Sequence, residues 1–171
     1  MSISQNFPST RPSLNLNFAR SQKLDPRITF TRSSTATYTG GDGLIKTAAT
    51  DTPRFDFNAT TGECLGLLIE ESRTNLALRS QEFETSWTPS AATIGVNSTT
   101  SPDGTVTADK LQEDNTNNQH LVLQSIGTLS IGAVYTFSCW AKAAERTQIS
   151  LTAHGEGYSV FNLSSGTIIQ T

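Results

Sequence analysis

Apolar and polar residues alternate along much of this chain. In 14–18 (LNLNF) and 28–31 (ITFT) apolar side chains recur two apart, the period of a strand with one face buried. Phe55 and Phe57 flank Asp56 in the same way. The stretch 65–71 (LGLLIEE) is the most apolar of the first half, and its length suits a strand better than a helix. It continues to Leu78 with Arg73 and Asn75 among apolar positions. So continuous an apolar run predicts burial on both faces, either within the subunit or across an oligomer seam. Later strands are predicted over 105–111, 120–126, 134–142, 148–153, 158–163 and 167–169.

Turn signals divide these segments. Gly40-Gly41-Asp42-Gly43 predicts a tight turn, because glycine takes positive φ at no steric cost. It lacks the lysine, the Ser/Thr and the following helix of a phosphate loop. Thr60-Thr61-Gly62, Pro102-Asp103-Gly104, Gly132, the 155–157 glycines and Ser165-Gly166 mark further turns, at the spacing of a sandwich. Residues 1–13 are polar and carry Pro8 and Pro12, which predicts an irregular extended arm. The texture changes near Ser80, and a boundary is placed there. The resulting plan is an arm over 1–13, a β-rich segment over 14–80 and a β-sandwich over 90–171.

Composition agrees with this pattern. Serine and threonine make up about a quarter of the 171 residues, and strong helix formers are sparse. Charged residues are 16% of the chain, with 12 basic against 15 acidic and a net charge of −3. No basic cluster is present to neutralise phosphates, so a nucleic-acid partner is not expected. No apolar run reaches the ~20 residues of a membrane helix, and the first ten residues lack the pattern of a signal peptide. Membrane insertion is not expected. The three Asn-x-Ser/Thr sequons, at Asn58, Asn97 and Asn162, are what chance gives in so threonine-rich a chain. Cys64 and Cys139 are read as two buried free thiols, without the neighbours of a metal site.

Catalytic motifs are missing. The sequence has no Gly-x-Ser-x-Gly elbow and no His-Glu-x-x-His, and no cofactor or metal is called for. His120 and His154 are read as solvated loop residues. Glu70 and Glu71 are strand neighbours that point to opposite faces, so they cannot flank one glycosidic bond. A salt bridge from either to Arg73 or Arg79 is the plainer account. In 134–142 the alternation puts Tyr135, Phe137 and Cys139 on one face, and Thr136, Ser138, Trp140 and Lys142 on the other. An aromatic among hydroxyls suits stacking on a sugar ring, and equally packing under a loop or against another subunit. Trp140 and Tyr158 are therefore the candidate glycan or subunit contacts.

The stretch 24–32 (LDPRITFTR) followed by Ser34-Thr35-Ala36-Thr37-Tyr38 resembles a segment found across tail-fibre and other virion proteins of tailed bacteriophages. Pro53-Arg54-Phe55-Asp56 and the block 65–78 (LGLLIEESRTNLAL) are similar to the same family, and their order is more specific than any one block. Cys64 and Phe57 stand where more polar residues are expected. The second half resembles a carbohydrate-binding-module jelly-roll, through Ser101-Pro102-Asp103-Gly104, 107–111 (TADKL), Tyr135-Thr136-Phe137-Ser138 and Phe161-Asn162-Leu163-Ser164-Ser165-Gly166.

The fold class expected is all-β, an irregular β-rich anchor followed by an antiparallel, jelly-roll-like β-sandwich. The resemblance implies a virion component assembled in the host bacterial cytoplasm. It would be a tail-fibre or adhesin subunit, anchored to tail, baseplate or capsid proteins through the arm with Ile3 and Phe7, homo-oligomeric as a trimer, and facing a host-surface glycan. The alternative is a capsid decoration protein that cements the head. A jelly-roll needs about eight strands and about six are legible here. The remainder is expected from a neighbouring subunit, from the first half, or from a longer parent chain.

Overall fold

The computed structural model describes Leu14, residues 16–153 and residues 157–171. The chain is almost all β, with antiparallel pairing throughout, and it divides into two units, 1–125 and 126–171. The change of texture near Ser80 falls inside the first unit. Ile3, Phe7 and His154 lie outside the described residues, as does the arm to which the first two belong.

The first unit opens with a single turn of helix, α1 (Phe18–Ser21), capped by the Asn17 side chain, whose oxygen accepts from the Arg20 amide at 3.2 Å. The strand expected over 14–18 is not formed. Leu14 and Leu16 stay about half exposed and join no ladder among the described residues, while Asn17 is a favoured helix cap. The second early expectation, 28–31, is also not a strand.

Two hairpins follow. Strands β1 (Ala36–Thr39) and β2 (Ile45–Ala48) pair with Ala36 opposite Ala48 and Thr39 opposite Ile45. The glycine turn joins them as predicted: the Gly43 amide bonds the Gly40 carbonyl at 2.9 Å, and Gly43 has φ +78. Any side chain there would take that strained φ and bring its Cβ within 2.9 Å of the Ala59 carbonyl oxygen. Strands β3 (Phe55–Phe57) and β4 (Cys64–Leu67) pair around Asn58, whose carbonyl accepts the Gly62 amide and whose side chain accepts the amides of Thr60 and Thr61. Strand β4 ends at Leu67, shorter than the run 65–71 promised.

Strands β5 (Thr88–Ser90) and β8 (Leu121–Leu123) pair, as do β6 (Ala92–Thr99) and β7 (Ala108–Glu113). The β6–β7 ladder is interrupted between Gly95 and Thr99. There Asn97 adopts φ 51 and its amide bonds the Asp109 carboxylate at 2.9 Å. Neither β5 nor β6 is visible as an alternating run in the sequence.

The second unit is a three-stranded sheet in the order β11–β10–β9, built from β9 (Gln148–Thr152), β10 (Tyr158–Asn162) and β11 (Thr167–Gln170). All three fall within the strands predicted over 148–153, 158–163 and 167–169, give or take one residue. Register places Phe161 opposite both Ile149 and Ile168, and Ser159 opposite Leu151, so one face gathers the apolar side chains. The turn between β10 and β11 repeats the chemistry of Asn58–Gly62. The Asn162 carbonyl accepts the Gly166 amide at 2.8 Å, and its side chain accepts from the Ser164 and Ser165 amides. By contrast 134–142, the longest alternating run, is not a strand. A strand needs a ladder partner, and among the described residues none pairs with it. No sheet of the described residues exceeds three strands, so the two facing four-stranded sheets of a jelly-roll are not formed among them.

The centre of the first unit is polar. Among the described residues Ala48 is the one buried hydrophobic side chain, and Arg54, 5% exposed, is the one buried charged side chain. Arg54 donates from one guanidinium nitrogen to the Thr37 carbonyl and to Glu70 Oε2, both at 2.7 Å. Its Nε has no hydrogen-bond partner among the described residues. The Leu68 amide bonds the Arg54 carbonyl, and the Thr39 amide bonds Asp56 Oδ1. Arg32 works similarly: its guanidinium reaches the carbonyls of Ser34, Ala48, Ala49 and Thr52, and its amide bonds Asp51. Side chains thus stitch β1, β2 and β3 where ladders do not.

The neighbouring carboxylates Glu70 and Glu71 should then behave very differently. Glu70→Ala leaves a buried guanidinium uncompensated and should cost about 2–3 kcal/mol, somewhat under the ~3–5 of a fully buried pair because Glu70 is itself hydrated. Glu71→Ala removes only an exposed pair and should cost less than about 0.5 kcal/mol. Urea unfolding of the two variants checks this, and equal losses would contradict it.

Candidate functional site

The sequence singled out Trp140 and Tyr158, both in the second unit. Trp140 is 78% exposed, within backbone that is not a strand, so the face shared with Thr136, Ser138 and Lys142 does not exist as a sheet surface. Val134 and Ile131 are still more exposed. Tyr158 starts β10 and is about half exposed, and its hydroxyl accepts from the Gln170 side-chain nitrogen at 3.0 Å across to β11. The structure does not bring the two aromatics together in a described site. Each remains open to contact by an external group.

In the first unit, a cleft of about 260 Å³ is lined by Glu82, Glu84, Asn97 and Asp109 among others. Its carboxylates are mostly committed. Asp109 accepts the amides of Phe83 and Asn97, at 2.9 Å each, and Glu82 pairs with Arg79 at 3.0 Å. Asp109 therefore ties β7 to the β6 interruption and to the turn before β5. A second cleft, about 320 Å³, lies along 75–82. Gln124 bridges the chain beside it, donating to the Leu78 and Ser86 carbonyls and accepting the Leu78 amide. Among the described residues no group of three or more His, Cys, Asp or Glu could hold a metal ion, and no helix is long and apolar enough to cross a membrane.

His120 is not the solvated loop residue expected. It is part-buried, and its Nδ1 lies 2.6 Å from the Ala91 carbonyl, which requires Nδ1 to be the donor. The same carbonyl accepts the Asp114 amide, and the Asp114 carboxylate stands 3.7 Å from the ring. His120 joins the start of β8 to the turn before β6, where Ala91 has φ 48. Sequence could not find this contact, because Ala91 is 29 residues away. The cysteines are free as expected, but neither is buried: Cys64 is intermediate and Cys139 exposed. Of the expected salt bridges, Arg73 meets Glu71 at 2.5 Å. Glu70 turns instead to Arg54, a partner the sequence reading missed because nothing local marks it.

The block 65–78 is the largest departure. Gly66 is buried and Leu67 half-buried, but Leu65, Ile69 and Leu78 are each more than 60% exposed. Of the two sources of burial expected for this block, the chain itself does not supply it among the described residues. No protein-family model, curated protein or solved structure matches the chain.

The turn at Ser101–Thr105 carries a clear electrostatic signature. Hydrogen bonds from the Ser101 hydroxyl, then from the Thr105 hydroxyl and amide, hold the Asp103 carboxyl at about 2, below its ordinary 3.8. The folded pKa is depressed, so this contribution is present above about pH 4 and is lost as pH falls towards 2. NMR titration should show Asp103 ionised down to about pH 2. Ser101→Ala should move its midpoint up towards the ordinary carboxylate range, and an unmoved midpoint would refute the assignment.

Proposed function

We propose that this chain is a structural subunit of a tailed-bacteriophage particle, a tail-fibre or adhesin component rather than an enzyme. The observation that carries the reading is the way Arg54 draws three sequence blocks together. Arg54 belongs to the Pro53–Asp56 block, and it binds Thr37 of the 24–38 block and Glu70 of the 65–78 block. These are the blocks that resemble virion proteins, in the same order. Their hydrogen bonding supports treating them as one module and not three chance likenesses.

Exposure supports the same reading. Large apolar side chains lie at the surface of both units, and none among the described residues is fully buried. Soluble monomers seldom expose extensive apolar surface, whereas assembly subunits do. In this reading, residues 1–80 contact other tail, baseplate or capsid proteins, with Ile3 and Phe7 in the arm among the contacts. The second half faces outward to a host-surface glycan, with Trp140 and Tyr158 as stacking surfaces. The chain acts as a homo-oligomer in the virion.

Immunogold electron microscopy of particles containing the chain tests the placement. Label at the tail is expected, label spread over the head would move the assignment to a decoration protein, and unlabelled particles would overturn both. On a glycan array, Trp140→Ala should weaken binding by about three- to tenfold, the worth of one stacking contact. Unchanged binding would remove Trp140 from the site.

A further inference from the structure

Residues 69–76 follow β4 with no regular secondary structure. Among the described residues, none of their amides or carbonyls makes a hydrogen bond; the series ends with the Leu68 amide on the Arg54 carbonyl. Side-chain directions nevertheless follow an extended chain. Glu70 turns inward to Arg54, while Glu71 and Arg73 meet each other at 2.5 Å, each 79% exposed. Successive residues on opposite sides and second neighbours on one side are what strand backbone produces. Unpaired backbone in this conformation is a template for another strand.

We propose that 68–76 pairs antiparallel with the same residues of a second copy, about a twofold axis through Ser72. In this register Glu71 lies opposite Arg73 of the second copy on both sides of the axis, so four charges alternate in sign. Leu68 falls opposite Leu76, and Ile69, 70% exposed, gains a covered face. Leu65 and Leu78, 62% and 64% exposed, extend the apolar contact at each end.

Charge order selects this arrangement over its rivals. Moving the axis one residue either way sets Glu71 or Arg73 opposite itself, and parallel in-register pairing does both. Like charges directly opposite destabilise a strand pair. The contact is isologous and closes on itself, giving a dimer and not a fibre. It differs from the threefold assembly implied by the fibre resemblance, and it stands whether or not the chain belongs to a virion.

Sedimentation equilibrium of the full chain, with the variants Glu71→Arg, Arg73→Glu and the double exchange Glu71→Arg/Arg73→Glu, tests the proposal. Both side chains are well exposed, so folding should be retained, and circular dichroism verifies it. The unaltered chain should dimerise reversibly. Each single reversal should raise the dissociation constant by about tenfold or more, because like charges then face each other. The double exchange should restore dimerisation, since the charges are again complementary. A monomer at all concentrations, a trimer, an assembly indifferent to either reversal, or a double exchange that fails to restore pairing would each overturn it.

Discussion

A guanidinium removed from water needs oxygens around it, and the first unit is arranged to supply them to Arg54. Desolvating such a charge costs several kcal/mol unless nearby acceptors offset it. Here the acceptors are the Thr37 carbonyl on β1 and the Glu70 carboxylate beyond β4, while Arg54 itself immediately precedes β3. Hydrogen bonds to a planar cation are directional, so they fix spacing as well as proximity. Moving any one of these segments strands the charge. Arg32 applies the same device between the approach to β1 and the end of β2, where the carbonyls of Ser34, Ala48, Ala49 and Thr52 converge on one side chain.

This polar centre explains why short sheets suffice. Two-stranded hairpins are marginal alone, and those of the first unit would be so without the cross-links between them. It also leaves the apolar side chains unspent. Leu65, Ile69 and Leu78 lie in or beside the segment that Glu70 anchors, yet each stays more than 60% exposed. Because Glu70 is held inward, Glu71 and Arg73 are turned to the outside, and the alternation places Ile69 with them. One buried charge thus sets both the internal stitching and the character of the outer edge. The virion reading and the twofold pairing draw on different consequences of it: the first on the blocks it gathers, the second on the charges it turns outward.

Turns were the most legible features of the chain. Gly40–Gly43, Asn58–Gly62 and Asn162–Gly166 are each determined by residues within five positions, through side-chain acceptors and glycine at positive φ. The strands β3, β10 and β11 lie beside such turns and were placed from the sequence, β3 as an alternating piece and the others by the turn signals around them. What alternation could not show is whether a partner strand exists. Residues 134–142 alternate better than any strand in the structure and are not one, while β5 and β6 alternate poorly and are paired.

The sequence by itself determined the antiparallel all-β class and the principal turns, because these follow from local backbone preference and residue chemistry. Only the tertiary structure decided that Arg54 seeks Glu70, that His120 holds the Ala91 carbonyl, and that 65–78 keeps its leucines outside. Each depends on groups brought together across 16 or more residues, or left apart, and burial is a property of what surrounds a side chain. No local pattern carries that information, since the same apolar run serves equally a buried strand and an unpaired edge.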